Sequence, residues 1–431
     1  MKFLQFILVA ALLAGAFVAG RLTSEPPTFE PGQVLRDDPL DASWQEFMRS
    51  LEETRELFRN SEFFGDDMER AEAYRTMLYA LINSIKAEAL MDPDQPRFMA
   101  TSGWTSKQGL DNPDNNYYMA VISDDADYRI IGQRGSSRDM VLQLLVGVPG
   151  VKGAGTSTNV SVLYGSEMHI EEDGSFEVIV SRTDPGKGKN WMANGDGARS
   201  LLARFSHADW DVERPGRLRI EKIGSEGVSA MPLTPQRVAL GLTEVAVNLY
   251  DSNATWINYA GRMWNLVARN DISASRATRG GLVGQYSAAG SWELDNDQAI
   301  ILTTSVSAAN YQGLELGNLW FTSLDYESRT TTLTLDQMHC GDDGLCHAVI
   351  SHKDPGVQNW LDTGGHRRGL IFMRWQGLSE NLPESQQPQA RLVSFADLAS
   401  ELPADTPQFS SEQRRRQIQK RKANIHQRFD G

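Results

Sequence analysis

Cysteine is almost missing from this chain: 431 residues contain two, Cys340 and Cys346. So few exclude a disulfide-rich scaffold, and neither their number nor their spacing suits a zinc site, which normally takes four ligands. There is no Gly-x-Ser-x-Gly elbow, no phosphate loop and no dinucleotide fingerprint, so the common covalent hydrolases and nucleotide enzymes have no support. Positive charge is in deficit. A net charge of −14 argues against a general nucleic-acid binder, because phosphate binding relies on clustered Lys and Arg. Long apolar runs are also scarce: a single one, Phe3 to Gly20, lies uncharged between Lys2 and Arg21.

That run reads as a secretory signal or a membrane anchor. Small residues near its end, Ala14 to Ala16 and Val18 to Gly20, allow cleavage, while its length allows retention, and both stay open. Either fate exports the remainder, to the periplasm or to its face of the inner membrane. No cysteine follows the run, which excludes a bacterial lipoprotein anchor. Cys340 and Cys346 flank a Gly-Asp-Asp-Gly turn between alternating runs. They are either two thiols in a reduced compartment or, the reading favoured here, a disulfide across a hairpin, which requires an oxidising compartment.

The composition, 40% hydrophobic and 23% charged, is that of a globular protein long enough for more than one core. After the segment 1–20, a Pro-rich linker over 21–41 carries Pro26, Pro27, Pro31 and Pro39. Residues 42–91 hold two amphipathic helices, about 42–60 and 66–91, with Trp44, Phe47, Met48 and Leu51 at helical spacing, then Tyr74, Met77, Leu78 and Leu81. Short alternating runs punctuated by Gly, Pro, Asn and Asp fill 92–230 and return over 273–402; Glu167 to Glu171 and Leu319 to Leu324 are among those read as strands. Between them, 231–272 reads as one long connecting helix opened by Thr234 and Pro235. The fold class expected is mainly β with helical additions: two tandem β-sandwich, jelly-roll-like domains, an N-terminal helical segment and the connecting helix. The basic tail, 403–431, has seven Lys and Arg between Arg414 and Arg428 with no acid among them. With Ile418 and Ile425 its only large aliphatic residues, it reads as a solvated helix.

The β regions share a repeated unit. His352 to Trp375 reads HKDPGVQNWLDTGGHRRGLIFMRW, and Ser181 to Phe205 reads SRTDPGKGKNWMANGDGARSLLARF. Each follows an apolar run and passes through Asp-Pro-Gly, Asn-Trp and a Gly-rich turn into a second apolar run: strand, shaped loop, strand. Asp184 and Asp354 lie 170 positions apart, Trp191 and Trp360 169.

On the downstream motif, with Asn318 to Trp320, Asp325 and Tyr326 before it, the chain resembles the bacterial family catalogued as domain of unknown function 1214. The likeness spans about 92–397 and is strongest over 318–375. It implies a β-sandwich, jelly-roll-like fold and brings no agreed reaction or catalytic residues.

Candidate chemistry concentrates in the downstream copy. His352, Asp354 and His366 are the candidate acid–base groups. Asn359, Trp360, Arg367 and Arg368 are candidate ligand contacts, the two Gly residues before His366 letting a ligand approach the backbone. Only Asp184 and Arg199 persist at the aligned upstream places, so what differs between copies is the functional lead. His339 and His347 flank the cysteines without an acidic ligand in register, and no metal or cofactor is expected. Two functions remain open. One is an exported envelope protein binding a glycan, lipid or protein ligand through sandwich loops, with Trp104, Trp191 and Trp360 suited to sugar stacking. The other is an extracytoplasmic hydrolase or lyase with its acid–base site around His366.

Overall fold

The computed structural model describes residues 38–103, 105–151, 158–277, 282 and 284–429. The apolar run 3–20, most of the Pro-rich linker and Trp104 lie outside these residues.

The helices begin where capping chemistry places them. Asp38 accepts from Leu40 N ahead of α1, Pro39–Arg59, and Asp66 and Glu69 form a reciprocal capping box at the start of α2, Asp67–Ile85. A five-residue π turn, Lys86–Leu90, prolongs α2. Thr234 caps α3, Pro235–Trp264, with Pro235 in its first turn, so the connecting helix stops several residues short of the expected end.

Among the described residues, nineteen strands form four sheets, two in each β region. In the first region, β1 (Met99–Ala100), β2 (Asn115–Val121), β4 (Asp139–Val146), β5 (Asn159–Tyr164) and β8 (Ala198–Ser206) are ordered β1-β2-β8-β4-β5. The facing sheet holds β3 (Tyr128–Gln133), β6 (Ser175–Ser181), β7 (Asn190–Ala193) and β9 (Arg217–Lys222), ordered β7-β6-β3-β9. The second region repeats this plan. Its helix-side sheet runs β10-β12-β18-β14-β15, with β11 (Arg276–Ala277) pairing β12. It is built from β10 (Asp271–Ile272), β12 (Gln285–Glu293), β14 (Tyr311–Gly317), β15 (Thr332–Thr334) and β18 (Arg368–Gln376). Opposite lie β17 (Trp360–Asp362), β16 (Leu345–Ser351), β13 (Gln298–Ser305) and β19 (Gln389–Ser394).

Each sandwich has its own core. Ala120, Leu142 and Leu201 from one sheet meet Ile130, Val178 and Ile220 from the other. In the second, Leu314, Ile371, Met373 and Trp375 meet Ile300, Leu302, Ala348 and Ile350. The two-residue alternation of a strand then gives the helix-side sheet a second buried face. On β18, Ile371 and Met373 point into the sandwich, while Leu370 and Phe372 join Phe58, Phe63, Ala260 and Trp264 of the helical segments. The outer face of β2 does the same through Met119 and Val121, which pack with Ala87 and Met91. One helical layer thus covers one sheet of each sandwich.

Three expectations are corrected. Leu319 to Leu324 is a tight turn rather than a strand, with Phe321 at φ 61°, and its Leu319, Trp320 and Phe321 fill the core beneath the helices. Glu167 to Glu171 is no strand either; a short 3-10 turn, Gly165–Glu167, occupies its start. The third concerns the tail. α4, Ser411–Phe429, buries Arg414, Arg421, Asn424, Ile425 and Arg428. Arg421 and Arg428 stand 4.3 and 4.1 Å from the centroid of the Trp210 ring, Arg428 Nη2 donates to Pro113 O, and Arg421 Nε donates to Tyr326 O. Aliphatic content was the wrong guide: guanidinium groups bury their planes on aromatic rings and satisfy carbonyls with their edges. The tail is a strap across both sandwiches.

Candidate functional site

The two Asp-Pro-Gly units fold alike, and most of their polar groups serve the fold. Asp184 Oδ1 accepts from Gly186 N at 2.8 Å, and Asp354 Oδ1 from Gly356 N at 2.9 Å. The Asn190 amide donates to the His169 and Glu177 carbonyls; that of Asn359 donates to those of His339 and His347. Trp191 Nε1 reaches Ser181 and Trp360 Nε1 reaches Ser351. These bonds clip each loop so that β7 and β17 lie parallel to β6 and β16, the short strands that sequence pattern alone reads as loop. Asn359 has both amide hydrogens committed to backbone carbonyls, and Trp360 is buried.

The side chains of the candidate acid–base groups each engage a partner of their own. Asp354 is paired with Arg414 of α4 at 3.0 Å. His352 Nε2 donates to Leu294 O at 3.0 Å, which leaves Nδ1 to accept from Thr363 Oγ1 at 2.7 Å. His366 is buried beneath α2, its Nε2 3.7 Å from Glu72 Oε1, and burial lowers its pKa. Arg367 is exposed and paired with Glu293; Arg368 grips Glu69 with two nitrogens. Cys340 and Cys346 are joined in a disulfide. His339 and His347 line a polar cleft of about 240 Å³ with Asp343 and Asp405. Among the described residues no group of three or more His, Cys, Asp or Glu is placed to hold a metal ion.

Buried charge also collects where α4 straps the sandwiches. Asp114 accepts from Tyr311 Oη at 2.6 Å and Trp210 Nε1 at 3.0 Å, and burial pushes its carboxyl up. Burial pulls Arg421 and Arg428 down to about 9 and about 10. The rings of Trp210 and Tyr311 and the strap itself close this cluster.

An opening with an Arg between two carboxylates lies at the upstream copy. β4 ends at Val146 and β8 starts at Ala198; Gly147 and Gly197, at φ 65° and 79°, turn the chain there and bound a cleft of about 270 Å³. Val146, Val148, Val151 and Val247 wall it. At its polar end Arg199 Nη2 bonds Glu88 and lies 3.3 Å from Glu244 Oε2. Glu88 stands on the π turn, a helix irregularity common at functional sites. Its side chain is 3% exposed, against 39% for Glu244. Asn248 Nδ2 donates to Glu88 Oε1 at 2.7 Å, and Ser84 Oγ donates to Asn248 Oδ1 at 3.0 Å. Burial pushes the Glu88 carboxyl up, the nearby Glu244 adds to the push, and Arg199 and Asn248 oppose it. Glu88, Glu244 and Asn248 carry no motif. The available signal was Arg199, a repeated Arg that needs carboxylates the sequence does not identify.

No family model matches the chain, and no curated protein does. Among solved structures, the chain is similar to an uncharacterized protein from Burkholderia cenocepacia. That match has 26% identity and a TM-score of 0.76, and covers 82% of this chain and 97% of that one. The VPA0106 protein from Vibrio parahaemolyticus matches at 11% identity with a TM-score of 0.45, over 74% of this chain and 98% of that one.

Proposed function

We propose that this chain is an exported envelope protein that holds a small amphiphilic ligand in the cleft between its helical layer and first sandwich. Export is supported by the N-terminal apolar run and the Cys340–Cys346 disulfide. The carrying observation is Arg199 shared between Glu88 and Glu244 at the end of a valine-walled cleft. Valines suit an apolar body, and two carboxylates beside one guanidinium suit a head group that donates hydrogen bonds, an amine or a hydroxyl. Of the ligand classes left open by the sequence, a lipid-like amphiphile fits best. The family resemblance over 92–397 is compatible with this role and adds no reaction.

The test is calorimetric titration with hexylammonium, 1-hexanol and hexanoate. The ammonium ion should bind most tightly and hexanoate not at all. Loss of a charge-assisted hydrogen bond costs about 1.5–3 kcal/mol, so Glu244→Gln should weaken ammonium binding by roughly tenfold or more. Binding of hexanoate alone, or of none of the three, refutes the reading.

The same pair favours a second reading, acid–base catalysis, because burial and a second carboxylate both shift Glu88 toward its protonated form. An NMR titration placing Glu88 at or below an ordinary glutamate would remove it.

A further inference from the structure

Apolar side chains left in solvent are not spread evenly over this molecule. Among the described residues sixteen large hydrophobics are exposed, and only Val212, Val306 and Leu392 belong to the sandwiches; the others lie on α1, α2 with its π turn, α3 and the run leading into α3. Scattered single exposures need no explanation, but a stripe does. On α2, Tyr74, Leu78 and Ile82 follow at intervals of four, one face of the helix, with Leu78 58% exposed. From Ala71 to Ile85 the charged residues are Glu72, which is buried, and Arg75, which is paired with it. Trp44 and Met48, also four apart, are exposed near the start of α1. α2 is therefore apolar on both sides: Ala73 and Ala80 are buried below it, and the outward stripe stays exposed among the described residues, with Phe64 touching the edge of Tyr74.

We infer that this outward face of the helical layer lies on a lipid bilayer. The argument for that occupant is the position of the tether. The apolar run Phe3 to Gly20 ends eighteen residues before Asp38, the cap of α1. An extended chain of that length spans at most roughly 60 Å, and it joins the body on the helical layer. A membrane-held N-terminus thus holds this layer, rather than either outer sheet, at high effective concentration beside the surface. The side-chain chemistry fits an interface: Tyr74 and Trp44 are the residue types of the head-group belt, Leu78 and Ile82 enter the acyl boundary, and Arg75 has a stem long enough to keep its charge in water. The inference stands apart from the cleft ligand and does not depend on it.

The experiment uses the full chain, apolar run included, reconstituted in phosphatidylethanolamine–phosphatidylglycerol vesicles. A fluorophore is attached through Leu78→Cys or, on the outer sheet of the second sandwich, Leu392→Cys, each variant first shown to keep the native circular dichroism. Lipids carrying a nitroxide on the acyl chain should quench the label at 78 and leave that at 392 bright. Equal quenching at both positions, or none at 78, overturns the proposal. So does cross-linking of two chains through position 78 without lipid quenching, which would make a second copy the occupant.

Discussion

The upstream and downstream copies differ least where their sequences agree and most in what third elements do to them. Both Asp-Pro-Gly loops make the same turn, the same Asn clamp and the same Trp–Ser bond. Downstream, α4 closes the loop: Arg414 pairs with Asp354 and stands 4.9 Å from the Trp360 ring centroid. Upstream, Asp184 is exposed. The repeated Arg shows the same contrast. Arg368 meets Glu69 in a two-nitrogen pair, 21% and 6% exposed, beside Trp264. Arg199 is 41% exposed and divided between two carboxylates at a cleft. Duplication supplied two equivalent frames, and the helices closed one and left the other open.

The largest expected effect comes from removing the element that creates the asymmetry. Deleting residues 411–431 exposes Ile425's site and breaks the bonds of Arg414, Arg421 and Arg428. At about 1.5–3 kcal/mol for each bond to a charged group, the loss should reach at least about 4 kcal/mol in urea unfolding. An unchanged midpoint would mean that the strap contributes nothing.

Next comes the Arg pair. Arg368→Gln strands Glu69 in a buried place and should cost about 3 kcal/mol. Arg199→Gln should cost about 1 kcal/mol, discounted because Arg199 is more than a third exposed and Glu88 can relax by taking up a proton. Equal losses in thermal unfolding would break the distinction between closed and open copies.

A smaller effect sharpens it. Trp360→Phe loses a buried indole hydrogen bond and weakens a cation–π contact, about 1–2 kcal/mol; Trp191→Phe loses the bond alone, about half as much. In the strap deletion the two losses should converge, and a persistent difference would place its origin elsewhere.

The smallest is a pH effect confined to the downstream copy, where His366 stands at the place aligned with Gly197. It faces Glu72, Arg75, Asp66 and Glu69, and burial outweighs the acids to lower its pKa. A lowered folded pKa means that the unfolded chain binds the proton first. The stability tied to neutral His366 is thus complete above the ordinary histidine value near 6.5 and is lost as pH falls through the lowered folded value. His366→Gln should flatten the decline in stability below pH 6.5 by up to about 1 kcal/mol per pH unit; a slope unchanged from wild type would refute the assignment.

Strand alternation, helix caps at Thr234 and Pro235, the internal repeat and the hairpin turn between Cys340 and Cys346 were legible from the chain alone, because each is written in neighbouring residues. Local pattern failed where a distant partner decided the outcome. Leu319 to Leu324 has the apolar character of a strand, but its rings were needed beneath the helices, where Trp320 Nε1 also finds Glu69 O. The tail has the composition of a solvated helix, and Trp210, Tyr326 and Asp354, far off in sequence, gave its arginines a reason to be buried. For the site, the sequence determined which residues repeat and therefore serve the frame; it could not determine which frame stays open. That depended on where α2, α3 and α4 come to rest. A carboxylate's charge state and accessibility are set by what packs against it, and for Glu88 those neighbours, Arg199, Glu244 and Asn248, are more than a hundred residues away along the chain.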